Sequence, residues 1–78
     1  METRTSKTIY SKDHIFIVER LKKARIEAGL DQEKAAKLLG KTQSYISKIE
    51  SGQRRIDIVQ LRKFGQIYKK PLHYFLNK

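Results

Sequence analysis

The sequence lacks several residue types that small proteins use for stabilisation or for chemistry. There is no cysteine, no tryptophan and only one proline among the 78 residues. Without cysteine, a disulfide framework and a thiolate metal site are both excluded. The two histidines, His14 and His73, stand far apart in the chain without companion ligands, so we expect no metal site and no cofactor.

Long apolar runs are also missing. No segment approaches the roughly 20 apolar residues that span a bilayer, and the stretch before Ile15 has no apolar core of a signal peptide. We therefore expect a cytoplasmic protein without a membrane partner.

Acidic residues are few compared with basic ones. Eighteen Lys and Arg oppose eight Asp and Glu, which gives a formal net charge of +10. So basic a chain of one-domain length favours a polyanionic partner. Composition alone does not separate DNA, RNA and an anionic membrane, and a merely solvated surface is the plainer alternative.

Apolar residues recur at the spacing of helices and nowhere alternate as in a strand. Residues 1–11 are polar and basic and are interpreted as a flexible arm, with Ser11 predicted to cap a first helix that begins near Lys12. Each of the next three helices is predicted to start at a polar cap: Asp31, Thr42 and Asp57. A glycine is predicted to end each of the first three: Gly29, Gly40 and Gly52. Pro71 is predicted to open a fifth helix.

The predicted fold is therefore all-α, a compact bundle of five short helices that occupies residues 12–78. The apolar residues expected to face its core are Ile17, Leu21, Ala24, Ala28, Ala35, Ala36, Leu39, Ile46, Ile49, Ile58, Leu61, Phe64 and Tyr68. Only "GKT" joins the second and third helices, and so short a joint predicts a helix-turn-helix unit over residues 32–51.

The segment "GLDQEKAAKLLGKTQSYISKIESGQRR" resembles the Xre family of helix-turn-helix regulators, the class of lambdoid phage repressors and Cro. The resemblance extends over about residues 14–77 and rests on residues in register: Gln32, Ala36, Gly40, Ile46, Ile49, Glu50 and Gly52. It implies a lambda-repressor-like fold and a transcriptional regulator that binds double-stranded DNA. Two departures stand out. Lys41 replaces a commonly apolar turn residue, and Lys69 replaces a glycine, so the fourth helix is expected to end differently.

The resemblance also implies roles for individual residues. Gln43, Ser44 and Lys48 match base-reading positions of the recognition helix, and their side chains suit adenine, several base edges and guanine respectively. Arg25 and Glu50 match a structural salt bridge between the first and third helices. Residues expected at the phosphates are Gln32, Lys41, Thr42, Tyr45, Ser47, Arg54 and Arg55. The plainer interpretation of Gln32, Gln43 and Ser44 is that they are ordinary solvated residues at helix starts.

Regulators of this type usually dimerise on palindromic operators, with half-sites about 10 bp apart. The fifth helix and the end of the fourth are the expected interface: Leu72, His73, Tyr74 and Phe75. The same apolar residues also suit the core, and on that interpretation Tyr74, Phe75 and Leu76 are mostly buried within the monomer. We therefore expect a small dimeric repressor or autoregulator.

Two other kinds of binding protein are alternatives: an antitoxin that also binds a toxin protein, and a charge-driven, non-specific binder of nucleic acid. No enzyme is expected, because the sequence offers no Ser/His/Asp or Cys/His set.

Overall fold

The computed structural model describes residues 12–76, within which all regular structure is helical. The helices are α1 Lys12–Glu27, α2 Gln32–Leu39, α3 Gln43–Glu50, α4 Ile58–Tyr68 and α5 Leu72–Leu76. The predicted all-α fold is confirmed. The predicted arm of residues 1–11, including the Ser11 cap, lies outside the described residues. Among the described helices, none is long and apolar enough to cross a membrane.

Side-chain caps fix where α2, α3 and α4 begin. In each case an oxygen of the cap accepts a hydrogen bond from the backbone N–H three residues further on, which satisfies a donor that the helix itself leaves free. The three bonds are Lys34 N to Asp31 Oδ1 at 2.8 Å, Tyr45 N to Thr42 Oγ1 at 3.1 Å, and Gln60 N to Asp57 Oδ1 at 2.8 Å. The predicted caps are confirmed, so Gln43 and Ser44 lie in a first turn whose position is set locally.

The turn between α2 and α3 depends on the backbone of Gly40. Its φ is 71°, in the left-handed region that L side chains rarely adopt, and its N–H donates to the carbonyls of Ala36 and Lys37. A Cβ at Gly40 would meet nothing within 4 Å, so the backbone conformation and not crowding favours glycine here. After Gly40 the chain needs only Lys41 and the Thr42 cap before α3 begins.

Side chains from all five helices meet in one core. Small residues on α2 let it lie close to α3 and α4, because Ala35 and Ala36 are at most 2% exposed. The larger core side chains are Leu21, Ile46, Ile49, Leu61, Phe64, Tyr68 and Phe75. Ile46 and Ile49 pack one side of α3 against the core, and the opposite side of the helix is exposed to solvent.

Some expected core positions are not buried. Ile58 is 52% exposed, Leu76 is 45% exposed and Ala28 is exposed as well, so these three predictions were wrong. Ile58 is the first residue of α4 and precedes Leu61, where the helix meets the core. In the five-residue α5, Phe75 faces inward and is fully buried, and Leu76, one residue later, points elsewhere. The side chain of Phe75 therefore belongs to the core and is removed from the predicted dimer interface.

α4 ends in a left-handed residue that is not glycine. Lys69 has φ 60° and ψ 45°, and it is the only non-glycine residue with positive φ between residues 12 and 76. The backbone N–H groups of Lys69 and Lys70 both donate to the carbonyl of Gly65. The helix therefore ends with the same left-handed backbone conformation that a glycine cap adopts. The expectation that it would end differently was wrong.

Replacing Lys69 by glycine is expected to raise the free energy of unfolding by about 1 kcal/mol, because the Cβ of an L residue crowds the carbonyl in this conformation. Urea denaturation measures the change. The matched control is Lys63→Gly, an exposed position inside α4, which should lower the free energy by about 1 kcal/mol. A Lys69→Gly variant no more stable than the parent protein would contradict the prediction.

Candidate nucleic-acid interface

The outer face of α3 carries the predicted base-reading residues. Gln43, Ser44 and Lys48 are all exposed, whereas Ile46 and Ile49 on the opposite side are buried to within 1%. Ser44 and Lys48, four positions apart, share a helical face, and Gln43 lies beside them at the start of the helix. The structure therefore brings the three predicted residues together on a surface that no described element of the chain covers.

A shielded ion pair joins α1 to α3. Arg25 Nε donates to Glu50 Oε2 at 2.7 Å and its Nη2 donates to Glu50 Oε1 at 3.1 Å, while the two side chains are only 11% and 6% exposed. Arg25 Nη1 donates to the Leu30 carbonyl at 2.7 Å. The hydrogen bond to Glu50 raises the pKa of Arg25 above its usual value. The pair that the resemblance implied is thus present and fixes the end of α3.

The ion pair continues into two glutamines that lead to the reading face. Gln32 Nε2 donates to Glu50 Oε1 at 3.1 Å, and Gln43 Nε2 donates to Gln32 Oε1 at 3.4 Å. A carboxylate only accepts hydrogen bonds, so Glu50 determines which end of the Gln32 amide faces it. The carbonyl of Gln32 then faces Gln43, and the Gln43 amide nitrogen turns toward it. The second contact is long and correspondingly weak.

Gln32 therefore has a role that the sequence interpretation missed. It was predicted to contact a phosphate, yet its oxygen and one N–H are already engaged inside the protein. One further N–H of its amide stays available for a phosphate. Gln32 and Glu50 are 18 positions apart in the chain. Their hydrogen bond depends on how α2 packs against α3, so it could not be predicted from the spacing of residues along the sequence.

Two of the predicted phosphate residues lie against the aromatic ring of a third, Tyr45. The Lys41 ammonium lies 5.2 Å and the Arg54 guanidinium carbon 4.9 Å from the centre of the Tyr45 ring. Cations are attracted to the face of an aromatic ring at such distances. The Tyr45 ring therefore brings together Lys41, from the turn before α3, and Arg54, from the loop after it.

The other predicted phosphate residues are not brought into this cluster. Ser47 and Arg55 are exposed, and no contact ties either of them to the Tyr45 ring. Thr42 Oγ1 accepts the cap hydrogen bond from Tyr45 N. Since a hydroxyl both accepts and donates, the Thr42 proton is still available.

Tyr68 lies near the ion pair, and the sequence interpretation expected it in the core without any role beside that pair. Its side chain is 2% exposed, and its hydroxyl has no hydrogen-bond partner among residues 12–76. Burial raises the pKa of this hydroxyl, and the nearby Glu50 carboxylate raises it further. Tyr68 is therefore neutral at physiological pH and adds no charge beside Arg25 and Glu50.

The residues predicted at a dimer interface lie on α5, which packs against α1. His73 is exposed, while Leu72 and Tyr74 are half-buried. The ring of Tyr74 is covered by two cations, Arg20 at 4.7 Å and Lys70 at 4.8 Å from its centre. Of the four residues in this set, only His73 is exposed.

In the described part of the chain, no group of three or more His, Cys, Asp or Glu side chains is placed to hold a metal ion.

Comparison with known proteins agrees with this geometry. The HTH_3 family model, described as helix-turn-helix, matches residues 21–75. No curated protein matches the sequence. Among solved structures, the restriction-modification controller protein C.AhdI from Aeromonas hydrophila is similar, with 30% sequence identity and a TM-score of 0.74. The match covers 81% of this chain and 91% of C.AhdI.

The family model includes α2, the turn, α3, all of α4 and all but the last residue of α5, so it spans the whole candidate interface. Proteins of this family are generally not enzymes. The predicted resemblance is confirmed, and the chain belongs to the Xre-type, lambda-repressor-like helix-turn-helix family of DNA-binding transcription regulators.

Proposed function

We propose that the protein is a small dimeric repressor or autoregulator that reads a palindromic operator through the major groove of double-stranded DNA. The observation that carries the proposal is the hydrogen-bonded series from Arg25 through Glu50 and Gln32 to Gln43. This series orients an exposed amide at the start of α3, on a face that nothing else in the described chain covers.

The orientation of Gln43 suits one base. One of its amide hydrogens points to Gln32, which leaves the carbonyl oxygen and a second N–H for the groove. Adenine offers a matching donor at N6 and acceptor at N7. Ser44 and Lys48, exposed on the same face, reach neighbouring base edges, and the Lys48 ammonium suits guanine O6 and N7.

Phosphate contacts come from both sides of α3 in this proposal. The Lys41, Tyr45 and Arg54 cluster flanks the helix, and the Thr42 hydroxyl is close by in sequence. The free N–H of Gln32 lies at the N-terminus of α2, where the helix dipole also favours an anion. Such contacts set register and supply much of the affinity without reading sequence. Ser47 and Arg55 add exposed donors of the same kind.

A dimer follows from the size of the reading face. One short recognition helix contacts few base pairs, and a two-fold pair of such helices reads two half-sites about 10 bp apart. We assign the interface to the exposed parts of Leu72, His73 and Tyr74 on α5 and to the end of α4. The similarity to a restriction-modification controller protein supports a regulatory role for this chain.

Selection of binding sites from a random duplex library at physiological salt tests the proposal. Enrichment of a palindrome with half-sites about one helical turn apart is the expected result. Binding without enrichment would instead identify a non-specific, charge-driven binder, and the base-reading roles of Gln43, Ser44 and Lys48 would then be withdrawn. Enrichment of a single half-site would contradict the proposed dimer but not the proposed reading of DNA sequence.

Replacing Arg54 by glutamine is expected to weaken binding to all DNA sequences alike, because a phosphate contact carries no sequence information. The slope of log K against log salt should fall by about 1. Fluorescence anisotropy at several salt concentrations measures it. The matched control is Arg62→Gln, which removes the same charge from the exposed side of α4. Equal loss of slope in both variants would assign the effect to net charge and not to the Tyr45 cluster.

A further inference from the structure

A groove opens between the end of α2, the turn that follows α1, and the end of α4. Its volume is about 550 Å³, within the range of small-molecule sites. Its walls are polar and apolar in similar measure, and the apolar part comes from Ala28, Leu30, Leu38 and Ile67. No residue of α3 lines it, so the groove is distinct from the reading face.

The groove presents apolar surface that the fold leaves uncovered. Leu38 is 60% exposed on its wall, and Leu30 and Ile67 are only half-buried. Covering a leucine of this kind with another apolar group is favourable, at roughly 25 cal/mol for each Å² removed from water. An apolar ring or chain therefore fits the apolar part of the walls.

The rim adds one uncompensated positive charge. Lys70 and Glu27 lie at the edge and form an ion pair of 2.8 Å, so their charges offset each other. Lys69, also at the edge, has no acidic partner among residues 12–76 and is held in the left-handed conformation described above. Glycine would occupy that conformation with less strain, but it would remove the charge.

The wall of the groove also touches the ion-pair series. The carbonyl of Leu30 accepts the 2.7 Å hydrogen bond from Arg25 Nη1, and Arg25 in turn holds Glu50. We propose that the groove binds a small amphipathic anion, with an apolar body against Leu30 and Leu38 and an acidic group at Lys69. Its binding shifts Leu30 and alters DNA affinity through Arg25. This last step rests on the proposed function.

Anilinonaphthalene sulfonate, an aromatic anion whose fluorescence rises in apolar sites, is the test probe. The chain has no tryptophan, so the signal is free of energy transfer from that residue. We expect saturable binding of one probe per chain, weakened about tenfold by Leu38→Ser and about threefold by Lys69→Gln. Ile58→Ser is the matched control, because Ile58 is 52% exposed but does not line the groove.

Non-saturable binding, or equal weakening by Ile58→Ser and Leu38→Ser, would overturn the groove as a site. Coupling is tested by measuring DNA affinity with and without saturating probe. A change in the parent protein that is absent in Leu38→Ser supports the link through Leu30 and Arg25. Unchanged affinity in the parent protein overturns that link. DNA binding measured without the probe tests the proposed function separately.

Discussion

Replacing Glu50 by alanine is expected to lower the free energy of unfolding by about 3 kcal/mol, because it leaves the guanidinium of Arg25 shielded from water without its partner. That loss is a large fraction of the total stability of a domain of this size. It corresponds to a decrease in Tm of about 15 °C for a short chain. Thermal unfolding followed by circular dichroism measures it.

The matched control for this prediction is Glu27→Ala. Glu27 also pairs with a cation, Lys70 at 2.8 Å, and the hydrogen bond from Lys70 lowers the pKa of Glu27. Glu27 is exposed, however, and water and salt screen such a pair strongly. Glu27→Ala should therefore change Tm much less than Glu50→Ala. Similar melting of the two variants would show that the Arg25–Glu50 pair is no more important than a surface pair.

Replacing Gln43 by alanine is expected to weaken binding to the selected operator by about 1–3 kcal/mol and to relax the preference at one base pair of each half-site. The side chain is exposed and makes only the long hydrogen bond to Gln32, so folding should be unaffected. Anisotropy titrations against the operator and against duplexes changed at single positions measure both effects.

Gln66→Ala provides the control, since it removes an exposed amide from α4, outside the helix-turn-helix unit. It should leave both affinity and base preference unchanged. If Gln43→Ala keeps the full affinity and the same preferred base, then Gln43 does not read DNA, however well it is oriented in the free protein.

Local chemistry made much of this fold predictable. Helix starts could be predicted at Asp31, Thr42 and Asp57, because short polar side chains cap the backbone N–H groups that follow them within the first turn. Apolar spacing placed Ile46 and Ile49 on the buried side of α3. Caps and apolar spacing both depend on residues within one or two helical turns of each other, so they can be recognised in the sequence alone. The recognition helix could be located in this way to within a residue.

Features that depend on how helices meet were harder to predict. Ile58 and Leu76 have apolar side chains in apolar patterns, yet they lie at helix ends that extend past the core. The link from Glu50 to Gln32 arises only when α3 packs against α2. The left-handed Lys69 shows a third limit, because local strain is accepted when the contacts around it fix the backbone.

The two-sided construction of α3 has a consequence for how such regulators diverge. Ile46 and Ile49 hold the helix from within, while Ser44 and Lys48 make no hydrogen bond through their side chains inside the described chain. Substitutions at these two positions can therefore alter operator preference with little effect on folding. Gln43 is expected to tolerate fewer substitutions, because its side chain also forms a hydrogen bond with Gln32. Duplicated copies of such a gene could acquire separate operators most readily through positions 44 and 48, without a prior gain in stability.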